Sequence, residues 1–316
     1  MVARQLGNSG LAVMPWALGG NVFGWTADEP TSFSLLDAFM GAGFNFVDTA
    51  DAYSNWVPGN KGGESETIIG KWMKAKGNRS QVILATKVGW EVSADKKGLS
   101  KKYIMQAVED SLRRLQTDYI DLYQSHKDDL TTPIEETLSA YDQLVKEGKV
   151  RAIGASNFSA ERLLQSIETS KQHGFPIYQS MQPHYNLYDR QQFENELEPV
   201  CLQHNIGVIS YFSLASGFLT GKYRSEQDMS KSARGGGMSK FFNERGFNIL
   251  AALDQLTEKH EATPAQISLT WLMARPSVTA PIASATSILQ LNELAKAATI
   301  ELSTDDIALL DKASAY

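Results

Sequence analysis

The sequence contains one cysteine, Cys201, in 316 residues. A single thiol excludes an internal disulfide and any metal site built from several cysteines, and it fits a reducing compartment. Positive charge is also short: 30 Lys and Arg against 36 Asp and Glu leave a formal net charge of −6. Phosphate backbones and anionic membrane surfaces are held by clustered cations, so neither nucleic acid nor membrane is expected as a partner. Long apolar runs are missing. The most apolar stretch, VISYFSLASGFL at 208–219, is broken by Ser and Gly and is too short to span a bilayer. The opening MVARQLGNSGLAVM has no apolar core behind a basic start, so no signal peptide and a cytoplasmic location are expected. GxSxG, GxxxxGK[ST], HExxH and EF-hand spacings are all absent. His173, His184, His204 and His260 are scattered without metal-ligand spacing, so no metal site is expected.

What is present is ordinary globular composition, 42% hydrophobic and 21% charged, which excludes a disordered chain or a small disulfide scaffold. Surface scaling gives roughly 13,000 Å² exposed when folded against about 50,000 Å² for the open chain, enough burial for a large core. Residues 1–316 are expected to form one domain.

Short apolar runs alternate with longer amphipathic ones. The short runs are ALGG (17–20), FNFVDTA (44–50), VILATKV (82–88), YIDLYQSH (119–126), VRAIGAS (150–156), YQSMQPH (178–184), GVISYFS (207–213) and TAPIAS (279–284). Continuous apolar runs suit parallel strands covered on both faces. Helical spacing marks 31–43, 64–76, 100–116, 132–148, 159–174, 192–205, 247–260 and 287–298. Thr31 and the pair Thr132-Pro133 read as helix starts, and Pro199 should kink its helix or delay it. Eight strand–helix units of about 40 residues argue for a (β/α)8 TIM barrel. The rival, a doubly wound sheet, would carry a Gly-rich fingerprint at its first turn, which here reads LGGNVFGW. Residues 4–13 read as an N-terminal β-hairpin turning at Asn8-Ser9-Gly10, and 304–316 as a short C-terminal helix.

In such a barrel the chemistry sits where strands end. Strand two ends in Asp48, with Tyr53 five residues on; strand three ends in Lys87 and strand four in His126. Taken singly, a strand-end Asp is ordinarily a cap, a Lys a solvated charge and a His a structural residue. Together they converge on one centre. An ammonium beside a phenol lowers its pKa, and a carboxylate keeps that ammonium charged, so Asp48, Lys87 and Tyr53 are expected to make a tuned acid. His126 can orient a substrate oxygen. Reducing a carbonyl also needs hydride, which side chains do not supply, so a nicotinamide is implied.

The segments FVDTADAYS (46–54), LATKVG (84–89), SLRRLQTDYIDLYQSH (111–126), GKVRAIGASNFS (148–159), QPHYNLYDR (182–190) and YFSLASGFLTGKY (211–223) resemble those of the aldo-keto reductases, in order and spacing from residue 4 to about 300. The resemblance implies an NAD(P)H-dependent reduction of a small-molecule aldehyde or ketone, or alcohol oxidation in reverse, with Asp48, Tyr53, Lys87 and His126 as the catalytic set. It implies cofactor binding by Gly20, Asn21, Ser156, Asn157 and Gln182, stacking by Tyr211, and a covering loop of Ser213, Leu214, Ser216 and Gly217. Lys222, Ser284, Thr286 and Gln290 fall near the adenosine 2′-phosphate. NADPH is the cofactor the resemblance implies; many members carry Lys or Arg where this chain has Ser284, Thr286 and Gln290, so NADH is possible as well. The alternative it admits is a cofactor-binding regulatory or redox-sensing subunit with little turnover. A metal-dependent sugar isomerase on the same barrel is disfavoured by the lack of clustered acidic and His ligands. Phe23, Trp25, Trp56 and Trp90 follow the first three strands and are expected to line the substrate pocket. The irregular 221–246 loop, with Gly235–Gly237 and Phe241-Phe242, is the expected lid.

Overall fold

The computed structural model describes residues 1–231 and 235–316; the expected lid therefore includes Ser232, Ala233 and Arg234, which lie outside the described residues. The chain begins with the expected hairpin, β1 (Arg4–Gln5) antiparallel to β2 (Ala12–Val13). Eight parallel strands follow: β3 (Ala17–Gly19), β4 (Phe46–Asp48), β5 (Ile83–Val88), β6 (Ile120–Ser125), β7 (Val150–Ser156), β8 (Ser180–Gln182), β9 (Gly207–Val208) and β10 (Ile282–Ala283). They are neighbours in the order β10-β3-β4-β5-β6-β7-β8-β9. The ends of that row meet. Val208 bridges Val278, and the amides of Thr279 and Ile282 donate to the carbonyls of Val208 and Ser210, both at 2.8 Å. The sheet thus curls into a (β/α)8 barrel, exposing 13394 Å² in line with the size expectation.

Side chains alternate about each strand, and the inward set changes character from bottom to top. Phe46, Ala85, Leu122, Ala152 and Ile209 form an apolar layer with Leu6, Leu11 and Val13 of the hairpin region, which plugs the end where the strands begin. Two residues further along the same strands stand Asp48, Lys87 and Gln124, which are buried and polar. Gly154, the inward residue of β7 in register with Gln124, leaves room for it: a Cβ there would lie 3.0 Å from Gln124 Cγ. The barrel is therefore sealed below and polar above.

The helices pack outside: α1 (Glu29–Gly41), α2 (Glu64–Lys76), α3 (Lys101–Leu115), α4 (Ile134–Lys146), α5 (Ala160–His173), α6 (Glu198–Gln203), α7 (Glu244–His260), α8 (Pro264–Ala274), α9 (Ile288–Ala295) and α10 (Thr304–Ala313). Two expected starts need correction. Asp28, not Thr31, caps α1, accepting from the Thr31 amide at 2.9 Å, because Pro30 fits the first turn where no N–H partner is needed. The Thr132 hydroxyl donates to Asp129 at 2.7 Å instead of capping α4, which begins after Pro133. Pro199 is accommodated by a π turn over Phe193–Leu197 before α6 starts. Helix α8 was not expected at all. Nearly every residue in it is buried, so it lacks the amphipathic period, although its capping box, Thr263 with Gln266 around Pro264, is written in the sequence.

Candidate active site

Strand register sets the site. Gly19 pairs with Asp48, Lys87 with Gln124 and Ser156 with Gln182, so the polar inward residues fall in one band at the open end. Lys87 is wholly buried. Its Nζ donates to Asp48 Oδ2 at 2.6 Å, to the Thr49 carbonyl at 2.9 Å and to the Tyr53 hydroxyl at 3.1 Å. Those three bonds use all the donors an ammonium has. Because the phenol oxygen accepts from Lys87, its own proton is left for another partner, and no described residue takes it. Tyr53 is held by its backbone: its amide donates to Ala50, and its carbonyl accepts from Gly63 at 3.0 Å and Ser65 at 3.3 Å. Asn60 ties the following loop down through Ser54 and the Gly24 carbonyl.

Burial drags the Lys87 ammonium down, but Asp48 and the phenol more than offset this and its pKa is raised. For Tyr53 the expected lowering does not follow. Burial pushes the phenol up, Lys87 pulls it down, Asp48 pushes it up again, and the outcome is raised. The carboxylate at 2.6 Å from Nζ cancels much of the ammonium's field at the phenol. Tyr53 therefore stays protonated at neutral pH. Burial, and then Lys87, depress His126 well below the usual imidazole range, so its ring is neutral. That ring stands 5.7 Å from the ring of Tyr53, edge to face, and its Nδ1 is buried with no partner among the described residues.

Two amides that hold the acid group were only partly legible. Asp48 Oδ1 accepts from Gln124 Nε2 at 3.1 Å and Gln182 Nε2 at 3.0 Å. Gln124 was missed; the available signal was its position two residues before His126, on the inward face. Behind the Tyr53 loop, Glu66 accepts from Thr86 at 2.5 Å and from Arg114 Nε at 2.7 Å. That ion pair anchors α2 and α3 beneath the site and was not foreseen.

The residues expected around a cofactor form an arc over the same mouth. The Ser156 hydroxyl donates to the Gln182 carbonyl at 3.0 Å, and Asn157 Nδ2 to the His126 carbonyl at 2.9 Å. The Tyr211 hydroxyl donates to Asn157 Oδ1 at 2.8 Å. One face of the Tyr211 ring stacks on His184, centroids 5.4 Å apart and 19° from parallel, and Asp189 holds that imidazole at 3.0 Å. His184, which sequence spacing leaves scattered, backs the platform. Ser213 is buried against Ser210. After Leu214 the chain turns tightly through three residues at positive φ, Ala215 at 48°, Ser216 at 56° and Gly217 at 104°, with the Ala215 and Gly217 amides donating to the carbonyls of Phe212 and Leu214. A Cβ on Gly217 would lie 3.6 Å from Lys222 Nζ, so an ammonium flanks this turn. Across the ring, Ser284 Oγ donates to Asn21 Oδ1 at 2.6 Å beside Gly20, and Gln290 Oε1 accepts from the Thr286 amide and hydroxyl. A fixed aromatic plane, a cation-flanked turn and a spread of hydroxyls and amides fit a dinucleotide with a planar end and a phosphate bridge.

Three of the four expected pocket aromatics gather at the mouth. Trp56 packs edge-on to Tyr53 and to Trp25, each at 5.7 Å, and Trp90 tilts over His126 at 5.2 Å. Phe23 does not join them. It is fully buried in the layer between barrel and helices, because the short 3-10 turn at Gly20–Val22 points it inward. The far end of the expected lid is also anchored: Phe241 is buried, stacked on Phe218 and edge-on to Tyr188. Among the described residues, no group of three His, Cys, Asp or Glu side chains could hold a metal, and no helix is long and apolar enough to cross a membrane.

Comparison with known proteins agrees with this geometry. The model of the Aldo/keto reductase family matches residues 15–315. The chain is 35% identical to the aldo-keto reductase YhdN of Bacillus subtilis, covering 92% of this chain and 85% of that protein. It is 34% identical to the uncharacterized oxidoreductase YrpG of the same organism, over 98% and 95%. It is also 32% identical to a probable voltage-gated potassium channel subunit beta of Arabidopsis thaliana, over 94% and 91%.

Proposed function

The chain belongs to the aldo/keto reductase family, oxidoreductases that generally use NAD(P)H, and on that premise we propose that it interconverts a small-molecule aldehyde or ketone and its alcohol. The observation that carries this reading is Lys87 Nζ bonded at once to Asp48 and to the Tyr53 hydroxyl at the open end of the barrel. When bound, the reduced nicotinamide supplies the hydride that the carbonyl carbon accepts. The work of this chain is to place the carbonyl and protonate its oxygen. Tyr53 is the general acid: its proton is unclaimed within the protein, and the ammonium at 3.1 Å stabilises the phenolate formed as that proton leaves. His126, neutral and partnerless at Nδ1, presents its Nε2 N–H to the same oxygen, since burying an unbonded N–H would cost more than burying a lone pair. Asp48, held by two amides, keeps Lys87 charged.

Tyr211 would support the nicotinamide ring and Asn157 would set the tilt of that support, while Ser156, Asn157 and Gln182 face its amide. Lys222 and the 213–217 turn would meet the phosphate bridge. Family membership is what favours NADPH as cofactor; because Ser284, Thr286 and Gln290 offer no countercharge to a 2′-phosphate, NADH should be accepted as well. Turnover of aldehydes, ketones or alcohols on a broad panel with NADPH and with NADH is the direct test.

A second reading is favoured by the potassium-channel beta subunits among the relatives, 32% identical over 94% of this chain. On that reading the same site binds cofactor and regulates a partner. Tight cofactor binding with no turnover across the whole panel would decide for it.

A further inference from the structure

We propose that the preferred substrate carries a carboxylate as well as its carbonyl, and that Lys127 receives this carboxylate at the rim of the mouth, above Trp90. The inference rests on the reading of Tyr53 and His126 as the carbonyl end of the site.

Lys127 leaves the barrel from a fixed point. The His126 amide donates to the Val88 carbonyl at 2.8 Å and its carbonyl accepts from Asn157 at 2.9 Å, so the next residue starts where the strand is pinned. From there the Lys127 ammonium reaches a position 5.8 Å from the centre of the Trp90 ring. Trp90 in turn lies 5.2 Å from His126, and His126 5.7 Å from Tyr53. A continuous set of ring contacts therefore joins the candidate acid to an exposed cation.

The nearby carboxylates are committed elsewhere. Arg162 Nε binds both oxygens of Asp128, at 2.9 and 3.0 Å. Asp129 accepts from the Leu99 amide and from Thr131 and Thr132. Glu91 pairs with Lys97 at 3.3 Å. Among the described residues, no carboxylate lies within ion-pair distance of Lys127. The Lys127 ammonium is thus left beside the mouth without an ion-pair partner among the described residues, in a chain whose net charge is −6. The indole face beneath it favours the ammonium at this place, which lowers the cost of fixing it on a ligand. A carboxylate there, an apolar or aromatic body along Trp90 and a carbonyl at Tyr53 make one ligand of matching polarity along its length.

The test compares 4-formylbenzoate with its methyl ester, alike in the aldehyde and different in charge, in the native chain and in Lys127→Met and Lys127→Glu. An exposed ion pair is worth little, so the ratio of kcat/KM for acid over ester should fall about threefold in Lys127→Met and about tenfold in Lys127→Glu, through KM, and the effect should shrink in 1 M salt. A ratio that stays the same in Lys127→Glu overturns the proposal. Terephthalate gives a readout without turnover: its affinity, followed by tryptophan fluorescence, should weaken at least about fivefold in Lys127→Glu. Terephthalate binding that ignores residue 127 also overturns it. If neither aldehyde is reduced while terephthalate binding still depends on Lys127, the reductase reading fails and the carboxylate site stands. If both are reduced at a ratio indifferent to residue 127, the reverse holds.

Discussion

At the residue scale, the charge of Lys87 is what the rest of the site is arranged around. It is fully buried and made tolerable by Asp48, so deleting it strands a carboxylate that two amides solvate only in part. Lys87→Met should cost about 3 kcal/mol in urea unfolding, and adding Asp48→Asn should restore much of that loss, because a buried pair is worth less than the penalty for breaking it. Tyr53→Phe removes only a proton donor. Its turnover should drop by about 10²–10⁴ while cofactor affinity, read by fluorescence quenching, persists. His126 gives a pH signature. Its folded pKa is depressed below the unfolded value near 6.5, so the unfolded chain binds the proton more readily. Stability from this group is complete above about pH 6.5 and falls as acid is added, by at most about 1.4 kcal/mol per pH unit. The difference in unfolding free energy between native and His126→Gln chains, measured at pH 7 and pH 5, should narrow at pH 5. Asp48, Tyr53, Lys87 and His126 were legible because each follows a recognisable strand. Gln124 and His184 were not, since their roles come from partners brought in by barrel closure: Gln124 meets Asp48 from 76 positions away.

At the element scale, helix packing puts a demand on one glycine that no periodicity reveals. Gly70 lies mid-helix in α2, where a Cβ would come 2.2 Å from the Arg114 carbonyl oxygen and 2.6 Å from the Leu115 carbonyl carbon of α3. Both obstacles are backbone and cannot swing aside. Gly70→Ala should gain helix propensity yet destabilise by about 1–3 kcal/mol, because overpacking wins over propensity. Since α2 and α3 also carry Glu66 and Arg114, the variant should lower kcat as well as the urea midpoint; a gain in stability would mean that the helices can part without cost. Strand–helix alternation was readable because parallel strands are continuously apolar and most covering helices are amphipathic. Helix α8 escaped for the opposite reason. Packed against α7 and α9, it is buried on nearly every side, and only its cap betrays it. Phe23 was misplaced for a related reason, because a side chain just past a short 3-10 turn has no period to tell inside from outside.

At the scale of the whole molecule, the barrel has a seam. Strands β9 and β10 have two residues each, and their edges meet through a single bridge and a few amide bonds, whereas β6 and β7 are joined by a five-pair ladder. The proposed cofactor residues lie on both sides of that seam: Tyr211 and Ser213 just past β9, Ser284 and Thr286 just past β10, and Asn21 just past β3. A dinucleotide held by both groups would therefore act as a clasp across the weakest join. Anything that binds only the folded chain stabilises it by mass action, about 2.7 kcal/mol at a hundred times Kd. NADPH and NADH should both raise the melting temperature and should slow amide exchange most at Val208, Thr279 and Ile282. Exchange protection confined to the Tyr53 side would show that the ligand does not cross the seam. Placing a guanidinium opposite the 2′-phosphate by Ser284→Arg should widen the gap between the two cofactors in favour of NADPH, measured as the ratio of their dissociation constants. The substitution also removes the bond by which Ser284, past β10, holds Asn21, past β3; that bond does not cross the seam, so exchange at Ile282 in the cofactor-free chain should stay unchanged.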